Sequence, residues 1–248
     1  MEILELNHEV IRTARDSEAN QKVANIGLQE PERLPFTVRI AVNREDIAKA
    51  VAVRRSAYGR HLPEFARTMT IEDADVAPGT TILLAESRLD RAPIGTMRIQ
   101  TNEFAALPVE HSVELPSWCA SSGRLAEATR LAVTGPSSGR MVKMMLFKAL
   151  FLLCEQRGID WLLITARSPI DREYEAMLFR DIFADHRYVP MTHVGGLPHR
   201  VMAGEVSAAR RRWSEAKHPL YRFVFETPHP DLDLTQPVQR AVCLEAAA

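Results

Sequence analysis

The amino-acid sequence predicts an α/β (α+β) protein in which antiparallel strands come first and an alternation of strand and helix follows. Phe36–Val42 alternates apolar with polar residues, as a half-buried strand does. Two further apolar segments flank a short turn and therefore predict a hairpin. After a long apolar helix, Trp161–Ala166 is continuously apolar, which is typical of a strand buried in a parallel pair.

The first half of the chain is divided into elements by its capping and turn residues. Asn43 is a suitable N-cap for a helix over Arg44–Tyr58. The predicted hairpin pairs Thr80–Glu86 with Ile94–Gln100 around a short polar turn. A further extended segment, Gly123–Val133, comes next and carries a glutamate and an arginine three residues apart.

The second half begins with a helix over Met141–Arg157, which Gly158 terminates. Beyond the apolar strand, Ser168-Pro169 is a suitable start for another helix. The remaining predicted elements are a helix from Ile170 to about Phe183, a return strand beginning at Tyr188, a basic helix over Ala203–Lys217 and a final strand over Tyr221–Phe225.

Three regions are predicted along the chain. Residues 1–35 are polar and end in a proline-containing segment, which indicates a short helix and a linker. Residues 36–227 contain the predicted strands and form the folded domain, since 46% hydrophobic residues suffice for one core. Residues 228–248 have no packing pattern, so we expect a flexible tail.

Composition and charge exclude several classes of function. The 31 basic and 32 acidic residues leave a net charge of −1, so no overall field attracts nucleic acid or a membrane. Three cysteines without metal-ligand spacing predict free thiols, a cytoplasmic location and no metal site. The N-terminus lacks the order of a secretory signal. The most apolar stretch, Met141–Cys154, is shorter than the ~20 residues of a membrane span.

The segment Gly123–Val133 carries the candidate chemistry. Strand alternation places Glu127 and Thr129 on one face, continued by Leu131 and Val133, and places Arg130 on the opposite face unless a bulge intervenes. A bulge just after Arg130 leaves backbone N–H groups without ladder partners. Such groups can bind the amides of pantetheine or the oxyanion of a thioester under attack.

The loop Gly135–Arg140 leads into the long helix, where free N–H groups and the helix dipole favour a phosphate group. Phosphopantetheine and coenzyme A both carry such a phosphate. The loop lacks a Walker ending and the full Gly-x-Gly-x-x-Gly spacing, which argues against both nucleotide folds. An ordinary strand-to-helix connection with a solvated Glu–Arg pair remains the alternative interpretation.

Four ordered segments resemble a known family. Glu127–Val133 is similar to the Glu-x-(Ser/Thr)-Arg-(aromatic or apolar)-Ala-Val strand of acyl-homoserine-lactone synthases and of the related N-acyl amino acid synthases. Both belong to the GCN5-related N-acetyltransferase (GNAT) superfamily. Arg54–Tyr58 resembles the family's early Arg-x-x-x-aromatic helix, and Gly95–Ile99 resembles its Gly-x-x-Arg-Leu strand. The acidic cluster Glu72–Asp75 lies between them, as in the synthases.

The resemblance implies a GNAT-like mixed, mostly antiparallel central sheet flanked by helices. Its V-shaped split, which would hold the thioester, is expected between Leu131–Val133 and Leu163–Ala166. The segment Tyr58–Phe65 and the apolar Leu131 depart from the lactone synthases and fit the N-acyl amino acid synthase branch. The implied enzyme moves a long-chain acyl group from an acyl thioester, expected to be acyl carrier protein, to the amine of an amino acid or a related small molecule.

The catalytic candidates are Glu127, Arg98 and Arg130. An amine nucleophile must lose a proton, and Glu127 is the candidate base, directly or through water. Arg98 and Arg130 are candidates for a bidentate clamp on a substrate carboxylate. The alternative is that Glu127 forms an ion pair that orders the strand and that the arginines only orient the acids.

The substrate-binding candidates come from the two earlier matching segments. The resemblance implies that they are Arg54, Arg55, Tyr58, Asp73 and Asp75. The two aspartates would bind the acceptor's ammonium or anchor one of the two arginines. Exposed acids in a loop are the alternative.

The acyl donor is expected as a cosubstrate, either acyl-phosphopantetheine on acyl carrier protein or acyl-coenzyme A, and no permanently bound cofactor is expected. The candidate residues for binding it are Leu131, Val133, Gly139, Arg140, Met141 and Val142. A basic patch suited to an acidic carrier protein, or equally a solvated helix face, consists of Arg210, Arg211, Arg212 and Lys217. Met and Leu residues of the Met141 helix would either line an acyl tunnel or fill the core.

Other candidate groups are weaker. Tyr174-Glu175-Ala176-Met177-Leu178-Phe179 resembles the Tyr-Glu-x-x-Gly-Phe of many acetyltransferases, in which the phenol protonates the departing thiolate. Because Leu178 replaces the glycine, a continuing helix and a packing role are predicted. His193 and His199 lie in a Gly/Pro loop and are expected to be solvated. A coenzyme A-dependent small-molecule acetyltransferase and a non-catalytic binding module remain alternative functions.

Overall fold

The computed structural model describes residues 33–121, 123–134 and 139–235. Of these, residues 34–227 and 231–235 belong to one compact unit. The predicted N-terminal helix and the residues 135–138 of the Gly/Ser loop lie outside the described residues. The domain bounds 36–227 therefore stay a prediction.

The strands of this unit form a mixed sheet. They are β1 Phe36–Ile40, β2 Thr80–Ser87, β3 Pro93–Thr101, β4 Leu125–Val133, β5 Trp161–Ala166, β6 Arg180–Asp181, β7 Val189–Met191, β8 Leu197–Glu205 and β9 Leu232–Asp233. Their order in the sheet is β6-β8-β5-β4-β3-β2-β1-β9, and β7 pairs with β8. The pairs β4–β5 and β1–β9 are parallel, whereas the other pairs are antiparallel. The predicted mostly antiparallel, mixed sheet is confirmed.

The helices lie on both faces of the sheet. They are α1 Arg44–Gly59, α2 Pro63–Thr68, α3 Asp73–Val76, α4 Ser117–Ala120, α5 Gly139–Gln156, α6 Asp171–Ala176, α7 Val206–Glu215 and α8 Tyr221–Phe225. Two short 3-10 turns, here named the Val109 turn (Pro108–His111) and the His193 turn (Thr192–Val194), precede β4 and β8 respectively. Asn43 caps α1 as predicted, because its side chain accepts a hydrogen bond from the Asp46 N–H.

The main core lies between α5 and one face of β1–β4. Met145, Leu146 and Leu150 of α5 are fully or almost fully buried there, so these three residues fill the core. Gly95 in β3 lets α5 approach closely, since a Cβ atom at this position would lie 2.5 Å from Val142 Cγ1. The opposite face of the sheet carries α1 and the polar residues of β3 and β4.

The split between β4 and β5 is present. The parallel pairing runs from Leu125 opposite Trp161 to Ala128 opposite Ile164 and then stops, although both strands continue. The split thus opens after Ala128 and Ile164, whereas the prediction placed Leu163, which is still paired, inside it. Backbone hydrogen bonds join the two strands only up to this point. The backbone groups of β4 beyond Ala128 that face β5 therefore have no partner in that strand.

A bulge, the exception that the expected strand alternation allowed for, is present in β4 and changes which face its residues occupy. Thr96 pairs with Ala132 and Arg98 with Thr129, so Arg130 and Leu131 stand opposite a single residue of β3. Arg130 has a φ of 55°. The alternation expected for a strand without a bulge therefore ends at Thr129. Arg130 joins the polar cluster on the Thr129 face, and the side chains of Leu131 and Val133 pack on the main core.

Other elements in the second half differ from the prediction. The helix predicted to run from Ile170 to about Phe183 ends at Ala176, and Leu178 adopts a left-handed φ of 66° before β6. Strand β8 was not predicted, and its last residues were assigned to the basic helix, which begins at Val206. The apolar pattern around Leu178 favours a continuous helix. The helix ends instead, because the chain that follows Leu178 enters the sheet as β6.

The C-terminal elements were also predicted wrongly. Tyr221–Phe225 forms α8 instead of a strand, because its aromatic residues pack in three dimensions against α5 and α7 and override local strand propensity. The prediction of an unpacked tail is wrong for Leu232–Asp233, which pairs with β1. Asp231 accepts a hydrogen bond from the Leu34 N–H and so fixes the start of this strand.

Candidate active site

Glu127 lies on β4 immediately before the split and is completely buried, with 0% exposure. Its Oε2 atom accepts a hydrogen bond of 2.8 Å from the Val109 N–H of the Val109 turn. Its Oε1 atom has no hydrogen-bond partner among the described residues. Burial raises the pKa of Glu127 to about 8, although the Val109 N–H and the charge of Arg98 oppose the shift.

His193 lies beside this carboxyl group. Its Nε2 atom is 4.0 Å from Glu127 Oε1, and its side chain is only 12% exposed. Within the described part of the chain, its buried Nδ1 atom has no partner. Burial, and then the nearby charge of Arg130, lower the pKa of His193 to about 4, so the ring is neutral at pH 7. The prediction that His193 is solvated is wrong.

His199 is also buried, which contradicts the prediction of solvated loop histidines. It lies in β8, and its Nδ1 is 2.8 Å from the Leu197 carbonyl oxygen. Burial lowers its pKa. The sequence missed both histidines because their Gly/Pro-rich surroundings suggest an exposed loop, whereas pairing of β7 with β8 buries that loop against β4 and β5.

The two 3-10 turns hold the Glu127–His193 pair between them. Ser112, just after the Val109 turn, places its Oγ 3.1 Å from Thr192 Oγ1 and accepts a hydrogen bond of 3.0 Å from the Thr192 N–H. One turn therefore binds Oε2 of Glu127 while the other brings His193 to Oε1. Each turn is supported by the other.

A cluster of arginines and acids adjoins the pair. Arg98, which is 2% exposed, donates from Nη1 to Glu72 Oε2 at 2.6 Å and to Asp75 Oδ1 at 3.2 Å. Its Nε donates to Thr129 Oγ1 at 3.1 Å. Arg54 on α1, which is 1% exposed, donates from Nη1 to both oxygens of Asp75 at 2.8 and 2.9 Å.

Arg130 connects this cluster to the His193 turn. Its Nη2 donates to Glu72 Oε1 at 2.6 Å and to the His193 carbonyl oxygen at 3.2 Å. Although burial opposes it, the charges of Arg130 and Arg98 hold the pKa of Glu72 below its usual value. Arg54, Arg98 and Arg130 thus meet two carboxylates, Glu72 and Asp75, which leaves one excess positive charge beside Glu127.

The predicted substrate-binding residues are only partly brought together. Arg54, Tyr58 and Asp75 lie in or beside the cluster, whereas Arg55 donates to the Met69 carbonyl oxygen and Asp73 is exposed. The sequence assigned no role to Glu72 itself, although this residue bridges Arg98 and Arg130. A signal for it was present, since Glu72 is the N-cap of α3 and exchanges hydrogen bonds with Asp75.

Two tyrosines lie near the split. Tyr58 Oη donates to the Leu131 carbonyl oxygen at 3.2 Å, just after the bulge. Tyr174 is buried, and burial together with the nearby Tyr58 raises its pKa. Because Leu178 takes the left-handed conformation that suits a glycine, the turn after Tyr174 can form as in the acetyltransferase motif despite the substitution.

The candidate donor-binding residues have different surroundings. Gly139 begins α5, and Arg140 and Met141 are exposed at this helix start. Val142 is completely buried against Gly95, so its side chain belongs to the core. At the basic patch, Arg210 pairs with Glu155 at 3.3 Å and Arg211 pairs with Glu215 at 3.0 Å. Arg212 donates to the Leu178 carbonyl oxygen, and Lys217 is exposed.

Cysteine is unsuited to nucleophilic catalysis at the described positions. Cys119 and Cys154 are buried, and burial raises the pKa of their thiols to about 11 and about 12, so neither is a thiolate at pH 7. Cys243 lies outside the described residues. Over the described ranges, no group of three or more His, Cys, Asp or Glu side chains is arranged to hold a metal ion. No described helix has the length and apolarity to cross a membrane.

Comparison with known proteins identifies the family. The family described as N-acyl amino acid synthase FeeM matches residues 49–201, which is more than half of the chain. The chain belongs to this family. The matched range includes Arg54, Glu72, Glu127 and His193. The protein is accordingly an acyltransferase.

Solved structures share the fold. The structure of FeeM, an N-acyl amino acid synthase from uncultured soil microbes, aligns with a TM-score of 0.59 and 21% identity, covering 79% of this chain and 100% of that chain. BjaI, a coenzyme A-dependent acyl-homoserine lactone synthase, aligns with a TM-score of 0.53 and 14% identity, covering 82% and 94%. A comparison with curated proteins finds no match. The GNAT-like fold predicted from the sequence is confirmed.

Proposed function

We propose that this acyltransferase moves a long-chain acyl group from the thioester of acyl carrier protein to the amine of an amino acid by direct aminolysis. The observation that carries the proposal is a buried carboxyl group, Glu127, at the point where β4 and β5 separate. With a pKa of about 8, Glu127 exchanges a proton near neutral pH, as a general base must.

The proposed reaction has three steps. The ionised carboxylate of Glu127 takes one proton from the acceptor's ammonium, and the freed lone pair forms a C–N bond with the thioester carbonyl carbon. The C–S bond then breaks with its electron pair on sulfur. The second nitrogen proton passes to the thiolate, directly or by way of Tyr174, and Glu127 returns its proton to solvent. The products are an amide and a free thiol.

The arginine cluster supports an acceptor that carries a carboxylate. Arg54, Arg98 and Arg130 outnumber Glu72 and Asp75 by one charge, so a further carboxylate is attracted to this part of the site. The guanidinium groups of Arg98 and Arg130 already bind Glu72, which excludes a simple bidentate clamp in this arrangement. The side chain of Glu72 is 30% exposed and can yield one of these contacts to the substrate. The name of the FeeM family, N-acyl amino acid synthase, agrees with such an acceptor.

The split supports binding of the acyl donor. Beyond Ala128 the backbone of β4 is not paired with β5, so its amide groups are available to the amides of pantetheine. Carrier protein is favoured as the donor because Arg211, Arg212 and Lys217 lie close together on and just after α7. The pairs Arg210–Glu155 and Arg211–Glu215 are exposed and contribute little, so they can reform with acidic residues of a carrier.

The test is thiol release from a long-chain acyl carrier protein and from the matching acyl-coenzyme A, each with a panel of amino acids and amines without a carboxylate. We expect release that depends on an amino acid and is faster with the carrier. Glu127→Gln should lower this rate by about 10²- to 10⁴-fold. Glu86→Gln is the matched control, because Glu86 is a buried glutamate at the far end of β2 that binds Arg39.

Four outcomes would contradict parts of the proposal. Equal rates with coenzyme A would remove the carrier protein as the preferred donor. An unchanged carrier preference in Arg211→Glu/Lys217→Glu would remove the basic patch as its docking site. Equal rates with amines that lack a carboxylate would remove the amino acid. An absence of amine-dependent release with every donor would leave a binding module.

A further inference from the structure

Two polar atoms of the Glu127–His193 pair are buried without a hydrogen-bond partner in the described chain, which is unusual in a protein interior. Glu127 Oε1 and His193 Nδ1 are both buried and lack hydrogen-bond partners within the described ranges. A buried carboxyl oxygen without a partner costs free energy, and such atoms in a native structure point to a missing ligand or water. Glu127 Oε1 therefore has hydrogen-bonding capacity that the described residues do not use.

The distance between the two side chains decides what fits. Glu127 Oε1 and His193 Nε2 are 4.0 Å apart, which is too long for a direct hydrogen bond. A single nitrogen atom placed about 2.8 Å from both atoms makes an angle of about 90° at that nitrogen, near the tetrahedral angle of an ammonium group. A primary ammonium group can thus donate one hydrogen bond to each side chain.

The electrostatic surroundings decide the role of the imidazole. The charged and titratable groups that affect His193 are Arg130, His199, Arg98 and Glu72, with Glu127 beside it. Burial and the two arginines disfavour a positive charge on the imidazole, so the ring stays neutral and keeps a lone pair on one nitrogen. With its proton on Nδ1, His193 presents that lone pair from Nε2 towards Glu127.

We propose that Glu127 Oε1 and His193 Nε2 form a two-point site for the acceptor's primary amine, in which His193 is a substrate-binding residue and accepts a hydrogen bond from the ammonium nitrogen. This inference rests on the proposed function and deepens it. His193 fixes the nitrogen while Glu127 removes one of its protons, which leaves the lone pair facing Glu127. The amine must then rotate about its C–N bond to turn this lone pair towards the thioester carbon. The site discriminates against alcohols and tertiary amines, which have no second hydrogen to donate.

The imidazole of the site is carried by the His193 turn, whereas Glu127 lies on β4. The turn is held at the Arg130 guanidinium through the His193 carbonyl oxygen and at Ser112 through Thr192. A substitution of the imidazole therefore leaves the backbone anchors of the turn in place. This separation makes it possible to test the ring without dismantling the arginine cluster.

The experiment compares His193→Leu, His193→Gln and His199→Gln in the thiol-release assay, with KM measured separately for the amine and for the acyl donor. Loss of a hydrogen bond to an ammonium should raise the amine KM of His193→Leu about 10- to 100-fold while the donor KM is unchanged. His193→Gln keeps a neutral acceptor atom and should restore most of the affinity. His199→Gln, the matched control, should leave the amine KM unchanged.

A second measurement uses the wild-type protein and so does not require a substituted protein to fold. Nitrogen-15 NMR of the wild-type imidazoles, recorded while the acceptor amine is added without donor, should shift the Nε2 resonance of His193 and leave His199 unshifted. The inference is overturned if the wild type releases thiol with amines but His193→Leu keeps the wild-type amine KM, or if the His193 resonance does not respond. A wild type that shows no amine-dependent release instead overturns the proposed function.

Discussion

At the scale of single residues, the site contains two buried carboxyl groups whose surroundings compensate the cost of burial in different ways. Glu127 is buried without an arginine bound to its carboxyl group, and burial raises its pKa although the Val109 N–H donates to Oε2. Asp75 is also buried but remains ionised, because Arg54 and Arg98 hold its pKa below the usual value despite the cost of burial. The first arrangement suits proton transfer, whereas the second suits a rigid frame.

The frame makes a prediction about stability. Asp75→Asn leaves the buried guanidinium of Arg54 without its carboxylate, and such a loss costs about 3–5 kcal/mol of unfolding free energy. The matched control is Glu64→Gln in the exposed pair Arg67–Glu64, which should cost less than about 1 kcal/mol. Urea denaturation of both variants measures the two values. Equal effects would show that the Arg54–Asp75 pair is not a buried support of the site.

The residues that the sequence could supply are those within continuous motifs. Glu127 and Arg130 share one strand, Arg98 lies on its neighbour, and Arg54 and Asp75 lie in short segments with a recognisable order. His193 has no such motif, because only the pairing of β7 with β8 brings its turn to β4. Strand alternation alone could not predict which face of the sheet Arg130 occupies, since this depends on the bulge.

At the scale of elements, the site is shaped by how β3, β4 and α5 fit together. The bulge at Arg130 and Leu131 interrupts the register of β3 and β4 shortly beyond Ala128, the last residue of β4 that pairs with β5, and it turns Arg130 into the cluster. Beneath it, Gly95 allows α5 to lie against β3. The start of α5, which is proposed to bind the donor, is thus positioned by a close helix–strand contact.

Gly95→Ala tests this contact. The added Cβ atom would lie 2.5 Å from Val142 Cγ1, and such overpacking should lower the unfolding free energy by about 1–3 kcal/mol. Val142→Ala should recover part of this loss in the double variant. The same substitution at Gly59, whose added Cβ meets nothing closer than Ala66 Cβ at 3.8 Å, should be neutral or stabilise by about 0.5–1 kcal/mol. A harmless Gly95→Ala would contradict the close approach.

Elements with a clear period or cap were predicted well, and those that depend on remote packing were not. Helix α1 and the β2–β3 hairpin have a cap and a turn in the sequence itself. Tyr221–Phe225 has the aromatic residues of a strand but becomes α8, because Phe225 meets Phe151 and Trp213 from distant elements. Strand β8 was hidden because its residues merge without a break into the basic helix.

At the scale of the whole molecule, the buried Glu127 should make stability depend on pH. Its folded pKa of about 8 lies above the ordinary 4.5, so the folded state binds the extra proton and stability is lost as pH rises through this range. His193 and His199 have lowered pKa values and act in the opposite direction below pH 6.5. Lys148, whose pKa is lowered to about 8, acts oppositely above that value.

The window between pH 6.5 and 8 therefore isolates Glu127. There the unfolding free energy of the wild type should fall by up to about 1.4 kcal/mol per pH unit, and Glu127→Gln should be nearly independent of pH. Denaturant unfolding at several pH values measures both slopes. A wild type as flat as the variant would mean that Glu127 is already ionised in the folded protein at pH 6.5.

The measurement that tests the central claim most directly is the pH dependence of acyl transfer to a saturating amino acid acceptor. Glu127 must be ionised to remove the proton, so the wild-type rate should fall about tenfold per pH unit below an apparent pKa near 8. Glu127→Gln should show a rate at least about 10²-fold lower and without this limb. A variant that keeps the wild-type rate or the same limb would contradict the assignment of Glu127 as the base.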